Sequence, residues 1–188
     1  MMTDVFSTTD ESVTELSELV ARAQAAPLQF GPIYDRYIQP VYRYIYSRVM
    51  NPVEADDLVA QTFLSALEAL PRYRDKGHFS AWLFSIARSK LMDHFRKHKR
   101  EVAYERDLEN GERVDLLGDL IQSQEVAQLA TLIRELDEDK KELLRLRYVA
   151  GLSYAEMGAL LKKKEDTVKK AVYRLLERLH RQMEADNA

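Results

Sequence analysis

Hydrophobic residues recur at every third or fourth position along most of the chain, which is the spacing of helices that bury one face. The clearest run extends from Phe30 to Val49 and places Ile33, Val41 and Ile45 on the core-facing side, although Pro40 is expected to kink or split the helix. Asn51 followed by proline predicts the start of the next helix, which Pro71 ends. No segment alternates with a period of two, so the chain is predicted to be all-α.

The stretch from Phe79 to Arg100 predicts an amphipathic helix with a mostly basic polar face. On a helical wheel Trp82 falls on that polar face, beside Ser89 and Arg96. An aromatic ring among cations is typical of a surface that stacks on unpaired bases and holds phosphates. The alternative is that Trp82 packs beneath the preceding loop as ordinary core.

The loop in front of this helix, residues 71–80, alternates aromatic rings with cations, and Gly77 allows the backbone to turn. Such a loop favours the capture of bases drawn out of a duplex. Its rings and cations are Arg72, Tyr73, Arg74, Lys76, His78 and Phe79.

The C-terminal part has the pattern of a helix-turn-helix. Ser153 and Glu156 form a capping box, and Ala155 and Gly158 are small enough for a second helix to cross closely. After lysines 162–164, a second helix presents cations outward, as a helix that enters a major groove does. Two short helices with one basic face also occur in plain helical bundles, and the pattern alone leaves that alternative open.

Charge is distributed in blocks, although the net charge is only −3. Residues 88–100 carry six Lys and Arg against one Asp, and residues 162–181 carry eight against three acids, whereas residues 101–119 are acidic. This order predicts two nucleic-acid-facing modules joined by a segment that nucleic acid repels.

The composition also excludes several kinds of binding site and structural feature. Without cysteine there is neither a disulfide nor a thiolate zinc site, and a reducing cytoplasmic location is expected. No apolar run approaches the roughly 20 residues that span a bilayer, so we expect a soluble protein with no membrane insertion. His94 and His98 have the spacing of a zinc-binding pair, but no third ligand follows at motif spacing. We therefore expect no catalytic residue, metal, cofactor or small-molecule substrate.

Four stretches in order resemble the extracytoplasmic-function sigma factors, the promoter-recognition subunits of bacterial RNA polymerase. They are FGPIYDRYIQPVYRYIYSRV, EADDLVAQTFLSALEALPRYR, FSAWLFSIARSKLMDHFRK, and ELLRLRYVAGLSYAEMGALL followed by EDTVKKAVYRLLERL. The resemblance covers the chain from about Leu19 to Leu179. It implies an alternative sigma factor that binds core RNA polymerase and promoter DNA, is held inactive by an anti-sigma factor, and is not an enzyme.

The resemblance also implies three sets of binding residues. The minus-ten element would be captured and opened by Tyr73, Lys76, Phe79, Trp82, Ser89 and Arg96. The minus-35 element would be read by Lys164, Thr167, Lys169, Lys170, Tyr173, Arg174 and Arg178. The largest polymerase subunit would be contacted by Asp56, Asp57, Leu58, Gln61 and Phe63.

These elements predict two small helical domains joined by an acidic linker. Residues 1–9 are expected to be disordered, 10–100 to form sigma region 2, 101–122 the linker, 123–183 sigma region 4 with its helix-turn-helix, and 184–188 a disordered end. Lys162 and Lys163 stand where the family usually has glycine and an apolar residue, so the turn must form without glycine. The main alternative is a helix-turn-helix DNA-binding regulator that does not engage polymerase.

Overall fold

The computed structural model describes residues 10–74, 77–104 and 124–186, which form helices and short connections with no strand among them. The first module contains four helices: α1 (Asp10–Ala25), α2 (Gly31–Val49), α3 (Pro52–Ala69) and α4 (Phe79–Tyr104). Short 3-10 turns at Pro27–Phe30 and Leu70–Arg72 precede α2 and follow α3. The predicted all-α class is confirmed.

The second module also contains four helices: α5 (Gln124–Arg134), α6 (Glu138–Leu144), α7 (Tyr154–Leu161) and α8 (Glu165–Asp186). A π-helical turn, Arg145–Val149, continues α6, and Gly151 ends it with a φ of +75°. Asp137 caps α6 by accepting a hydrogen bond from the Lys140 backbone N–H at 2.9 Å. The capping residue explains the break in helical spacing that the sequence shows at this point.

Several expected boundaries differ from the structure. α2 is not split at Pro40, because proline removes one backbone hydrogen bond while the buried residues Tyr37 and Val41 hold both halves of the helix in the core. α4 continues four residues beyond Arg100, to Tyr104, and α8 continues to Asp186. Residues 1–9, 187–188 and most of the acidic linker lie outside the described residues.

The core of the first module lies between α2, α3 and α4. Ile33, Val41 and Ile45 of α2 are fully buried, as the helical spacing predicted, and they meet Leu83 and Phe84 of α4 in one hydrophobic cluster. Leu146, Leu152 and Met157 of the second module belong to the same cluster. α7 lies against α4, and the π-helical turn lies against α2. The two modules therefore pack directly on one another.

No helix among the described residues combines the length and apolar character that crossing a bilayer requires.

Candidate nucleic-acid interface

Three aromatic rings pack against one another where the loop after α3 enters α4. The Trp82 ring centroid lies 4.6 Å from that of Tyr73 and 5.2 Å from that of Phe79. The Tyr73 and Phe79 rings meet edge to face at 5.4 Å. The rings thus hold each other in fixed orientations at the start of the basic helix.

Hydrogen bonds from α1 hold this loop in place. The Gln24 side-chain amide donates hydrogen bonds to the backbone carbonyls of Leu70 at 3.0 Å and Tyr73 at 2.7 Å. Gly77 then turns the chain with a φ of +74°, a conformation that glycine adopts without a steric penalty. Sequence reasoning missed Gln24, because nothing in the pattern of α1 marks one polar residue as the support of a distant loop.

The three rings differ in their access to solvent. Tyr73 and Trp82 are half-buried, so each keeps one surface open, whereas Phe79 is only 2% exposed. The prediction that Phe79 contacts DNA is therefore corrected: its ring is the platform on which Tyr73 and Trp82 rest. Trp82 is neither sealed in the core nor fully free.

The remaining predicted minus-ten residues lie along α4. Ser89 and Arg96 are exposed, at positions 7 and 14 after Trp82, so all three share one side of the helix. The Arg96 guanidinium pairs with the Asp93 carboxylate on the surface. Lys76 lies outside the described residues.

The histidine pair on α4 has a structural partner. His94 Nε2 lies 3.0 Å from a carboxylate oxygen of Glu54, and the His94 and His98 rings are parallel with centroids 6.2 Å apart. Across the part of the chain that the structure describes, no three His, Asp or Glu side chains are grouped as ligands for a metal ion. His94 thus joins the N-terminal end of α3 to α4.

The second module contains the predicted helix-turn-helix, formed by α7 and α8. Ser153 accepts a hydrogen bond from the Glu156 backbone N–H at 3.2 Å and donates its own N–H to the Glu156 carboxylate at 2.7 Å, which confirms the capping box. Lys162 takes the left-handed conformation that glycine usually supplies, with a φ of 55°.

Gly158 lies where α7 meets the start of α8. A Cβ atom at this position would lie 2.8 Å from the Lys163 backbone oxygen and 3.3 Å from the Glu165 backbone nitrogen. The close approach that the small residue predicted is thus present, and it fixes α8 against α7.

One side of α8 is buried and the other is free. Val168, Val172, Leu175 and Leu179 are no more than 4% exposed. Every predicted minus-35 residue is exposed: Lys164, Thr167, Lys169, Lys170, Tyr173, Arg174 and Arg178. The structure therefore places all seven on an accessible surface.

A second aromatic contact supports this surface. The Tyr173 and Tyr154 rings lie 6.2 Å apart, and the Arg147 guanidinium lies 4.5 Å from the centre of the Tyr154 ring. Arg147 also donates a hydrogen bond to the Leu152 carbonyl at 3.0 Å. Sequence reasoning missed Arg147 and Tyr154, because their contact depends on the chain path through the π-helical turn.

The predicted polymerase-binding residues divide into two groups. Asp56, Asp57 and Gln61 are exposed, and the Gln61 amide donates to the Asp57 carboxylate at 2.7 Å. Leu58 and Phe63 are 3% and 5% exposed, so their predicted role as surface contacts is corrected to one in the core.

Tyr34 supplies the aromatic surface beside these polar residues. It packs edge to face on Phe63, with ring centroids 4.8 Å apart, and is 42% exposed. A shallow depression next to it is lined by Tyr34, Ile38, Gln39, Tyr42, Asp56, Val59 and Ala60.

Comparison with known families and proteins agrees with this architecture. Residues 33–101 match the family described as Sigma-70 region 2, and residues 127–179 match Sigma-70, region 4. The chain is 34% identical over 186 residues to the ECF RNA polymerase sigma factor BldN of Streptomyces coelicolor, with 94% of this chain and 69% of the relative covered. The chain belongs to the ECF sigma factors of RNA polymerase. It is also 30% identical to the ECF sigma factor SigM of Bacillus subtilis, over 78% of this chain and 90% of that one.

Solved structures of sigma factors share the fold. CnrH, solved in complex with the cytosolic domain of CnrY, has a TM-score of 0.59 and 25% identity, covering 89% of this sigma factor and 96% of CnrH. RpoE of Bartonella quintana, solved with the anti-sigma factor NepR, has a TM-score of 0.60 at 22% identity, covering 84% and 98%. The second likeness concerns the fold alone.

Family membership confirms the predicted function. The sigma factor directs core RNA polymerase to promoters and acts on promoter DNA. The alternative of a DNA-binding regulator that never engages polymerase is excluded, because region 2 is present as well as region 4.

Proposed function

We propose that the first module opens the minus-ten element while the second module holds the minus-35 element. Tyr73 and Trp82 receive a base that leaves the duplex, and the face of α4 that carries Ser89 and Arg96 follows the separated strand. The single observation that supports this best is the aromatic cluster at the start of a basic helix, in which two half-buried rings pack on a buried Phe79.

The energetics of this step depend on a balance of small terms. Unstacking and unpairing a base costs a few kcal/mol, and stacking it on an aromatic side chain returns about 1–3 kcal/mol. Because the rings are already packed, little conformational entropy is lost when the base arrives. Binding alone then drives the opening, and no catalytic chemistry is required of the sigma factor.

The exposed face of α8 reads the minus-35 element in this proposal. Lys169, Lys170, Tyr173 and Arg174 lie within the first three turns, where a helix in the major groove meets base edges. Arg178 lies one turn further and holds a phosphate. Tyr154 supports the Tyr173 ring from α7, and Arg147 supports Tyr154 in turn.

Core polymerase docks on the outer face of α2 and α3. Asp56, Asp57 and Gln61 supply polar contacts there, and the exposed part of Tyr34 takes the place of Phe63, which the family resemblance assigned to this contact. The sigma factor works in the cytoplasm, where polymerase and promoter DNA are. An anti-sigma factor regulates it, a proposal supported by the related CnrH, which was solved in complex with the cytosolic domain of CnrY.

The test compares Trp82→Ala on an intact promoter and on the same promoter with the minus-ten region already unpaired. Loss of one base stack predicts a five- to 150-fold fall in open-complex formation on intact DNA, from about 1–3 kcal/mol. Activity on the unpaired template should fall much less, and Trp82→Phe, which keeps a ring, should lie between. Equal loss on both templates would contradict the role in opening, since a folding defect affects both alike.

A further inference from the structure

A buried carboxylate joins the two modules. Glu142 of α6 is 5% exposed, and its oxygens accept a hydrogen bond from the Tyr44 hydroxyl at 2.7 Å and from Arg48 at 2.8 Å. Arg88 Nε of α4 lies 3.7 Å from the same carboxylate. All three partners belong to the first module, more than 50 residues away along the chain.

Two of the three partners, Tyr44 and Arg48, are held in place by aromatic contacts within their own module. The Tyr44 ring packs edge to face on Phe84, with centroids 5.4 Å apart. The Arg48 guanidinium lies 5.7 Å from the centre of the Phe95 ring. The first module thus presents one hydroxyl and two guanidinium groups to Glu142, an arrangement that we call the Tyr44 cradle.

The protonation state of Tyr44 allows its hydroxyl to donate a hydrogen bond to Glu142. Burial raises the pKa of Tyr44 well above its usual range, and the Glu142 carboxylate raises it further. The hydroxyl therefore stays protonated at physiological pH and donates to the carboxylate. Burial of a carboxylate is unfavourable unless hydrogen-bond donors surround it. The Tyr44 cradle supplies those donors to Glu142 only when the two modules are in contact.

A second polar contact lies at the other end of the interface. The Ser80 hydroxyl, at the start of α4, hydrogen-bonds to the carboxylate of Glu156, which also completes the capping box of the helix-turn-helix. Ser80 is two residues from Trp82. The helix-turn-helix is thereby tied to the beginning of the helix that carries the minus-ten residues.

This arrangement is too compact for both promoter elements at once. Positions −35 and −10 are about 25 base pairs apart, which at about 3.4 Å per base pair is roughly 85 Å. A compact chain of this length has a radius of gyration of about 16 Å and hence a diameter of roughly 40 Å. The modules must separate before each can reach its element.

We propose that the free sigma factor is held closed by Glu142 in the Tyr44 cradle, and that release of this latch precedes simultaneous binding of the two promoter elements. The cost of opening is the loss of the latch and of the shared apolar contacts. Contacts with core polymerase and promoter DNA offset that cost. The need to open rests on the proposed function, whereas the closed state of the free chain does not.

The experiment measures the distance between the modules in the free chain. The sequence has no cysteine, so Glu68→Cys on α3 and Glu177→Cys on α8, both at exposed positions, accept a dye pair for single-molecule energy transfer. Glu142→Gln keeps the side-chain size but removes the charge. A hydrogen bond to a charged group contributes a factor of about ten to one hundred, so the closed-to-open ratio should fall by at least tenfold.

Two further variants keep the test decisive. Glu138→Gln, on the same helix, removes surface ion pairs with Lys141 and Arg145 inside the second module and should leave the ratio unchanged. Tyr44→Phe keeps the ring and removes only the hydroxyl, so it should open the chain even if Glu142→Gln folds poorly. A wild-type chain that is already open, or a Glu142→Gln chain as closed as wild type, would overturn the proposal. If the latch variants open the chain but Trp82→Ala does not impair opening of DNA, the latch stands and the proposed function fails.

Discussion

Replacing Gly158 with alanine adds one methyl group where α7 meets the start of α8. The new Cβ would lie 2.8 Å from the Lys163 carbonyl oxygen, a backbone atom that cannot rotate away as a side chain does. Overpacking of this kind costs about 1–3 kcal/mol. Alanine in a helix interior recovers about 0.5–1 kcal/mol relative to glycine, so the expected net loss is about 0.5–2 kcal/mol.

The assay is urea unfolding of the full chain together with binding of the holoenzyme to the minus-35 element. With a urea slope of about 2 kcal/mol per molar, the unfolding midpoint should fall by a few tenths to about 1 M. Upstream binding should weaken as well, because the methyl group tilts α8 away from α7. Opening of a template that lacks the upstream element should be spared.

Ala159→Gly is the matched control, at the next position on the same helix. Ala159 is exposed, so the glycine costs only helix propensity, about 1 kcal/mol. Helix propensity alone predicts that Gly158→Ala stabilises the chain and that Ala159→Gly destabilises it. The close approach at Gly158 predicts that both substitutions destabilise it. A Gly158→Ala variant that is more stable than wild type would refute the reasoning.

Three further predictions concern α8, the turn before it and the interface between the modules. Lys170→Ala should change base preference within the minus-35 element, whereas Arg178→Ala should weaken binding evenly and lower the salt slope by about one, as binding measured over a salt series would show. Lys162→Gly should raise the urea midpoint slightly, because glycine adopts the left-handed conformation without the strain that costs lysine about 1–2 kcal/mol. This gain exceeds the roughly 0.5–1 kcal/mol that glycine costs in backbone entropy. A lower midpoint would contradict this. Burial, and next the Glu156 carboxylate, raise the pKa of Tyr37 from 10.0 to about 12. The stability that un-ionised Tyr37 contributes is therefore fully present below pH 10 and is lost as the pH rises to about 12, which lowers the free energy of unfolding by up to about 3 kcal/mol. In urea unfolding, Tyr37→Phe should reduce this loss of stability at alkaline pH.

Helical spacing predicted the helices well because burial of one face determines both the spacing and the fold. Ile33, Val41 and Ile45 were expected in the core and are fully buried. The predicted break at Pro40 was wrong, because the cost of a proline inside a helix is local and the burial of residues on both sides of Pro40 outweighed it.

The candidate site was predicted in outline but not side chain by side chain. Phe79 and Trp82 are both aromatic and three residues apart, yet one is buried and the other half-open. Leu58 and Phe63 were similarly assigned to the surface through the family resemblance, although their spacing fits the buried face of α3. Which ring keeps an open surface depends on the packing of α3 and α4, which a motif does not specify.

The contact between modules had no signal in the sequence. Glu142 lies in a charged segment, EDKKELL, where an acid normally faces water. Tyr44, fully buried, was not assigned to the core, because its position in α2 lies beside the main apolar stripe. Only the tertiary structure brings these two side chains together.

Transcription from a promoter library by core RNA polymerase, with and without this protein, tests the central claim most directly. The account predicts a set of start sites that depend on the protein and share one sequence near −35 and another near −10. Trp82→Ala should reduce transcription from these starts about five- to 150-fold on intact templates. If no start depends on the protein while it still binds duplex DNA, the account is contradicted.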